Sequence, residues 1–272
     1  MSKSLLLIIT ICIVSLGSYS QEAGDSLPKN PSMIDLRLIK SGLIDAKDVV
    51  IAPVRWNQTQ WALAMGITGL TLGLVTQDLA IQNFAQKNHT AFLDAVSKYG
   101  LEPWGSGLYT LPALGIMYGC SFAFHDKKAR MTAMKGVEAF VYAAIASQIL
   151  KQITHRQRPD QGDVPDPYHW EGPIGPIFDE SFPSGHSAAV FAVATVIASA
   201  YKKTVWVPVL CYSLASLTAL SRIYNNKHWM SDVVMGTAIG LAIGQTVFRN
   251  SVRLKLLPVS PMGPGLTLCY RL

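Results

Sequence analysis

The sequence predicts an all-α chain, a bundle of about six apolar helices embedded in a membrane. Three observations carry this reading. Half of the 272 residues are hydrophobic and 15% are charged, whereas typical soluble domains carry roughly 25% charged residues. Apolar segments recur at 61–76, 104–124, 136–150, 187–200, 204–220 and 233–248. Basic residues gather in the links at 125–130, 202–203 and 249–255, as they do on the cytoplasmic side of membrane proteins.

The N-terminus reads as an export signal over residues 1–20, with Lys3, an apolar core at 5–16 and small residues Ser18 and Ser20 before a cleavage point at Gln21. The core is short for a span, which needs about 20 residues, and the competing reading is an uncleaved anchor. Residues 21–59 form a polar arm with Pro28, Pro31 and Pro53. The helical domain covers 60–250, and a tail with Pro258, Pro261 and Pro264 covers 251–272.

Within the domain, residues 78–99 stand apart. Ile81, Phe84, Phe92, Ala95, Val96 and Tyr99 fall mostly at helical spacing. The pattern fits a helix lying on a membrane surface, and equally one packed on its own protein. The later apolar segments have abundant Ala, Gly, Ser and Thr, which allow close helix packing in a bilayer. Most are slightly short for a span, so a tightly packed soluble helical domain fits them too.

If the later segments cross a membrane, the three basic links share the cytoplasmic side. The loops 151–186 and 221–232 then share the other side. Counting back from a cytoplasmic 125–135 loop through two spans places residues 21–59 in the cytoplasm, against a cleaved signal. Three solutions remain: an early segment that does not cross, an N-terminus that is not a signal, or a soluble domain. The four cysteines, Cys12, Cys120, Cys211 and Cys269, form neither a disulfide framework nor a metal spacing. The net charge of +6 comes without a long basic run or interleaved aromatics, which argues against nucleic-acid binding.

Chemistry concentrates at three places. Lys151-x6-Arg158-Pro159 closes an apolar segment, Pro183-Ser184-Gly185-His186 opens one, and Ser221-Arg222-x5-His228-x3-Asp232 lies between two. Each has an ordinary explanation alone: interfacial cations, a helix start capped by Ser184, a surface pair four residues apart. Together they point to phosphoryl transfer, which needs positive charge and directed N–H donors around the equatorial oxygens. Lys151, Arg158 and Arg222 supply the cations, and an arginine can grip two oxygens at once. Ser184 and Gly185 open a helix whose free N–H groups face an anion. Of His186 and His228, one can attack phosphorus and the other protonate the leaving oxygen. The spacing of Asp232 suits a hydrogen bond to one nitrogen of His228. A metal site built on His186, His228 and Asp232 is disfavoured by three adjacent cations, so neither metal nor cofactor is expected.

These three motifs, in this order and without departure, resemble the signature of the type 2 phosphatidic acid phosphatase superfamily. That group includes lipid phosphate phosphatases, class A acid phosphatases and vanadium haloperoxidases. The resemblance implies a metal-independent phosphatase in which His228 is the nucleophile and forms a phosphohistidine. It implies that Asp232 orients His228, that His186 is the general acid, and that Lys151, Arg158, Ser184, Gly185 and Arg222 bind phosphate. The expected substrate is a phosphomonoester or pyrophosphate, above all of a lipid. The expected location is the inner membrane of a bacterial-type envelope with the site facing the periplasm. The alternatives are a soluble periplasmic acid phosphatase and, further off, a haloperoxidase with vanadate in the same pocket.

Overall fold

The computed structural model describes residues 36–174 and 180–255. The expected signal, the first part of the arm and the tail beyond residue 255 lie outside the described residues. The all-α expectation holds. Among the described residues there is no strand, and Arg156 and Trp170 pair only through an isolated antiparallel bridge.

In chain order, α1 is Leu36–Ile51, α2 Gln58–Val75, α3 Asp78–Lys87, α4 Ala91–Ala95 and α5 Glu102–Ser106. Then follow α6 Thr110–Ala123, α7 Lys127–Thr154, α8 Gly185–Ala200, α9 Trp206–Tyr224 and α10 Met230–Lys255. Side chains fix several starts by accepting otherwise orphaned N–H groups. Asn57 and Gln60 form a reciprocal capping box for α2, Asp126 accepts from Lys128 and Ala129 at α7, and Ser184 caps α8.

The described residues up to Ser251 form one compact unit centred on α8. Every residue from Ser187 to Val196 is buried, because α8 is enclosed by α7, α9 and α10. One core cluster joins Ala139, Ala143, Ala188, Ala192, Val196, Ile243 and Val247. A second joins Val190, Phe191 and Ala194 of α8 to Ala215, Ala219 and Ile223 of α9 and Val233 of α10.

The small residues noted in the sequence set the spacing. Gly236, Gly240 and Gly244 lie one above another on α10, and a Cβ at each would stand 2.3 Å from the Ser184 carbonyl, 2.3 Å from that of Ala188 and 2.5 Å from that of Ala192. The glycine stripe therefore lets the α8 and α10 backbones approach closely.

By length and composition, α9 and the Met230–Ser251 part of α10 can each cross a membrane, and α2 with α3 can form a third span bent by 62°. α6 and α8 are apolar but shorter. The chain also presents an exposed apolar ridge along α7. Val137, Val141, Ile145, Ile149 and Ile153, spaced four residues apart, are 39–56% exposed.

Two readings are refined. The segment 136–150 belongs to a helix of 28 residues, because polar turns on both sides continue it. Residues 78–99 do not make one helix, and of the two readings the one with an apolar face packed on the protein is not met. They break into α3, α4 and a π-helical turn, Val96–Leu101. Ile81 packs against the second core cluster, but Phe84, Phe92 and Tyr99 are 64–75% exposed. The inward face is largely polar. Gln82 donates to Asn226 Oδ1 at 2.9 Å, Gln86 to the Tyr224 carbonyl at 3.2 Å and Ser97 to Asn225 Oδ1 at 2.7 Å. The polar partners are the residues of the seam at 221–226, so polarity there signals contact with the site rather than with water.

At the other end, α1 docks through a buried ion cluster. Lys135 Nζ lies 2.6 Å from Asp45 and 2.7 Å from Glu138, and Tyr142 donates to the Gly42 carbonyl at 2.7 Å. Lys128 stacks 4.3 Å from the Tyr201 ring, which brings the basic links at 125–130 and 202–203 together at that end.

Candidate active site

The C-terminal end of α7, the N-terminus of α8 and the link between α9 and α10 converge on a cavity of about 370 Å³. Lys151, Arg158, Gly185, His186, Arg222 and His228 all line it, although they lie up to 77 positions apart in sequence. Ser184 and Asp232 do not line it. Ser184 is fully buried behind the helix start, where its hydroxyl accepts from the Ser187 N–H at 3.4 Å and from the Ser187 hydroxyl at 2.9 Å. Its own N–H donates to the Asp232 carbonyl at 3.0 Å, tying the start of α8 to that of α10.

The cations are held differently. Lys151 Nζ donates to the Glu180 carbonyl. Arg222, 3% exposed, pairs with Glu102 through Nη1 and Oε1 at 3.0 Å. Arg158 is fixed through its backbone N–H, which donates to Gln161 Oε1 at 2.9 Å. Among the described residues, Arg158 Nε, Arg222 Nε and His186 Nε2 are buried without a hydrogen-bond partner, while Arg222 Nη1 has the Glu102 carboxylate beside it. Buried polar atoms are seldom left so. Three such atoms on residues lining one cavity mark a place for a multidentate anion.

α5 forms the opposite wall with Gly105 and Ser106. A Cβ on Gly105 would stand 2.7 Å from Cβ of His186, so the absence of a side chain lets α5 lie against that imidazole. The cavity continues along α7 past Gln148 and Ser147 to Ala144 and Phe140. At a rise of 1.5 Å per residue, Phe140 lies about 16 Å below Lys151 along the helix axis. One end is cationic and the other apolar.

His228 is 3% exposed and precedes α10 rather than lying on it. Burial, and then the positive charges of Lys151, Arg158 and Arg222, hold its imidazole well below the usual range, so it is neutral, although a hydrogen bond with the Ser181 backbone opposes them. The direct hydrogen bond expected from Asp232 is not formed, since His228 Nδ1 lies 3.8 Å from Asp232 Oδ2. Asp232 is occupied otherwise: Oδ1 accepts from Arg156 Nη1 at 2.5 Å, and Oδ2 from the Trp229 N–H at 2.8 Å and from the Ser181 hydroxyl. Ser181 Oγ lies 3.4 Å from His228 Nδ1.

The three motifs do not include several residues of this network. Arg156, fully buried, joins Asp232 to Asp78 of α3 at 2.8 Å and stacks near Trp170 and Trp229. Asp78 in turn accepts from the Ser231 N–H at 3.0 Å. Arg156 occupies one of the unassigned positions between Lys151 and Arg158, where an extra arginine in a short loop was the available signal. Asp78, Glu102 and Ser181 carry no such signal. They are brought in by the tertiary fold.

Comparison with known proteins agrees with the motifs. Residues 132–255 match the sequence model of the PAP2 superfamily. The lipid A 1-phosphatase of Porphyromonas gingivalis is 47% identical over 66 residues, 24% of this chain and 15% of that protein. The decaprenylphosphoryl-5-phosphoribose phosphatase of Mycobacterium tuberculosis is 32% identical over 121 residues, 44% of this chain and 62% of that protein. Each match thus spans less than two thirds of the relative. The crystal structure of a transmembrane PAP2-type phosphatidylglycerolphosphate phosphatase from Bacillus subtilis shares the fold, with a TM-score of 0.50, 23% identity, and coverage of 78% of this chain and 92% of that one. The resemblance carried by the three motifs therefore holds: residues 132–255, which contain all of them, are a PAP2-superfamily segment.

Proposed function

We propose that this chain is a metal-independent phosphatase of lipid phosphates, acting through a phosphohistidine at His228. The three unpartnered polar atoms, Arg158 Nε, Arg222 Nε and His186 Nε2, on residues lining one cavity carry the reading. They match the need of a transferring phosphoryl group for several fixed donors and positive charge. With Lys151 they surround the phosphate, and the Gly185 N–H end of α8 adds directed donors.

The geometry supports a division of labour between the two histidines. Nδ1 of His228 faces Ser181 and Asp232, which leaves Nε2 for phosphorus. The Nε2 lone pair forms the P–N bond as the bond from phosphorus to the substrate oxygen breaks. His186, entering the step as imidazolium, gives its extra proton to the departing alcohol and is left neutral. Water then attacks phosphorus, His186 takes a proton from it, and cleavage of P–N returns His228 and releases inorganic phosphate.

The two-ended cavity supports an amphiphilic substrate, with phosphate at Lys151 and apolar substituent toward Ala144 and Phe140. The apolar ridge on α7 and the candidate spans α9 and α10 support a seat in the inner membrane. The active-site end lies opposite the basic links joined by Lys128 and Tyr201, which supports a periplasmic site under the positive-inside tendency.

The test is phosphate release in EDTA and detergent from a short-chain phosphatidic acid and from a soluble phosphomonoester. Preferential hydrolysis of the lipid, abolished by His228→Ala, is the expected result. Preference for the soluble ester would assign the chain to acid phosphatase chemistry instead. Activity that requires an added divalent metal would overturn the metal-independent mechanism.

A further inference from the structure

We infer that Ser181, outside the three motifs, is a positioning residue that links Asp232 to His228. The inference rests on the reading of His228 as nucleophile. The direct path from Asp232 is filled. Its Oδ1 accepts from Arg156, and its Oδ2 accepts from the Trp229 N–H and the Ser181 hydroxyl. The nearest side-chain group to His228 Nδ1 is then the Ser181 oxygen at 3.4 Å, not the carboxylate at 3.8 Å.

The direction of these bonds fixes the tautomer. Ser181 has one hydroxyl proton, and Asp232 receives it. The serine oxygen can therefore only accept from the imidazole, and the Ser181 backbone, which also hydrogen-bonds the ring, favours the same direction, so Nδ1 carries the hydrogen and Nε2 keeps its lone pair. That is the form a nucleophile at Nε2 requires. The carboxylate polarises the hydroxyl and makes it a better acceptor. As Nε2 bonds to phosphorus the ring becomes cationic, and the 3.4 Å contact shortens as catalytic hydrogen bonds do when the reacting complex forms.

Ser181 is well placed to hold that geometry. It is fully buried, and its N–H donates to the Arg156 carbonyl at 2.7 Å. Arg156 thus fixes both partners, the serine through its backbone and the aspartate through its guanidinium. A serine one residue before the Phe182-Pro183-Ser184-Gly185-His186 stretch reads as loop polarity in the sequence. In the fold it is the contact between two motifs.

The experiment compares Ser181→Ala, Ser181→Cys, Asp232→Asn, the Ser181→Ala/Asp232→Asn double variant and His228→Ala. All are made in the full chain in detergent, with short-chain phosphatidic acid as substrate. Ser181→Ala is expected to lower kcat about 10²-fold, the order expected for a misplaced reacting group, with KM unchanged. Ser181→Cys keeps the size but is a weaker acceptor, so its kcat falls between serine and alanine and provides a second reading if the alanine variant is unstable. The double variant is expected to be no slower than the slower single variant, because both changes break one chain of contacts. Wild-type kcat in Ser181→Ala, or losses that multiply in the double variant, would overturn the inference. An inactive His228→Ala beside a fully active Ser181→Ala would remove Ser181 alone. An active His228→Ala would remove the nucleophile assignment itself.

Discussion

Glu102 reaches from α5 to place Oε1 3.0 Å from Nη1 of Arg222, so a cation facing the cavity is paired with a carboxylate from the opposite wall. The Glu102 side chain is 36% exposed, and pairs of this kind contribute about 0.2–1 kcal/mol. A phosphate must compete with it for the guanidinium. Glu102→Gln keeps the shape and removes the competitor. Inorganic phosphate should then inhibit at concentrations up to about fivefold lower. Unchanged or weaker inhibition would show that Glu102 only orients Arg222.

The glycine stripe on α10 predicts a sharp contrast. A Cβ at Gly240 would meet the Ala188 carbonyl at 2.3 Å and Phe191 Cβ at 3.0 Å, while one at Gly69 of α2 meets nothing within 4 Å. Gly240→Ala should cost about 1–3 kcal/mol through overpacking. Gly69→Ala should be neutral or slightly stabilising. Thermal melts in detergent read both, and equal melting temperatures would contradict the close packing of α8 on α10.

Arg156 is fully buried between Asp78 and Asp232. Removing one partner from a buried pair leaves uncompensated charge, and Arg156→Ala should cost about 3–5 kcal/mol. Activity should fall as well, because Asp232 and the Ser181 backbone lose a common support. Retained stability on denaturant melting would mean that water replaces the guanidinium.

His228 is held neutral by burial and by the charges of Lys151, Arg158 and Arg222. A lowered imidazole stays unprotonated as pH falls through the ordinary range near 6.5. After correction for substrate ionisation, the acid limb of kcat/KM attributable to the nucleophile should lie well below pH ~6.5. A limb at or above that value would place His228 in a more solvated setting.

Much of the site was legible because local chemistry wrote it. Lys151, Arg158, Gly185, His186, Arg222 and His228 meet in one cavity, and Ser184 caps the helix its sequence context suggested. The spacing of His228 and Asp232 does bring the two side chains together, at 3.8 Å, but without the hydrogen bond a shared helical face would suggest. The helix begins only at Met230, so Asp232 turns back to accept from the Trp229 N–H instead. Asp78, 153 positions from its partner Ser231, had no local signature. Residues 78–99 showed their apolar period, but the sequence could not tell which face the protein covers. The polar partners at 221–226 decided it.

The central claim is that His228 carries the phosphoryl group. The most direct measurement is rapid acid-free quenching of the full chain turning over a ³²P-labelled short-chain phosphatidic acid in EDTA, followed by peptide mapping. The account predicts acid-labile, alkali-stable label on the peptide containing His228, present in the wild type and absent in His228→Ala. Turnover without labelled protein, or label on another residue, would contradict it.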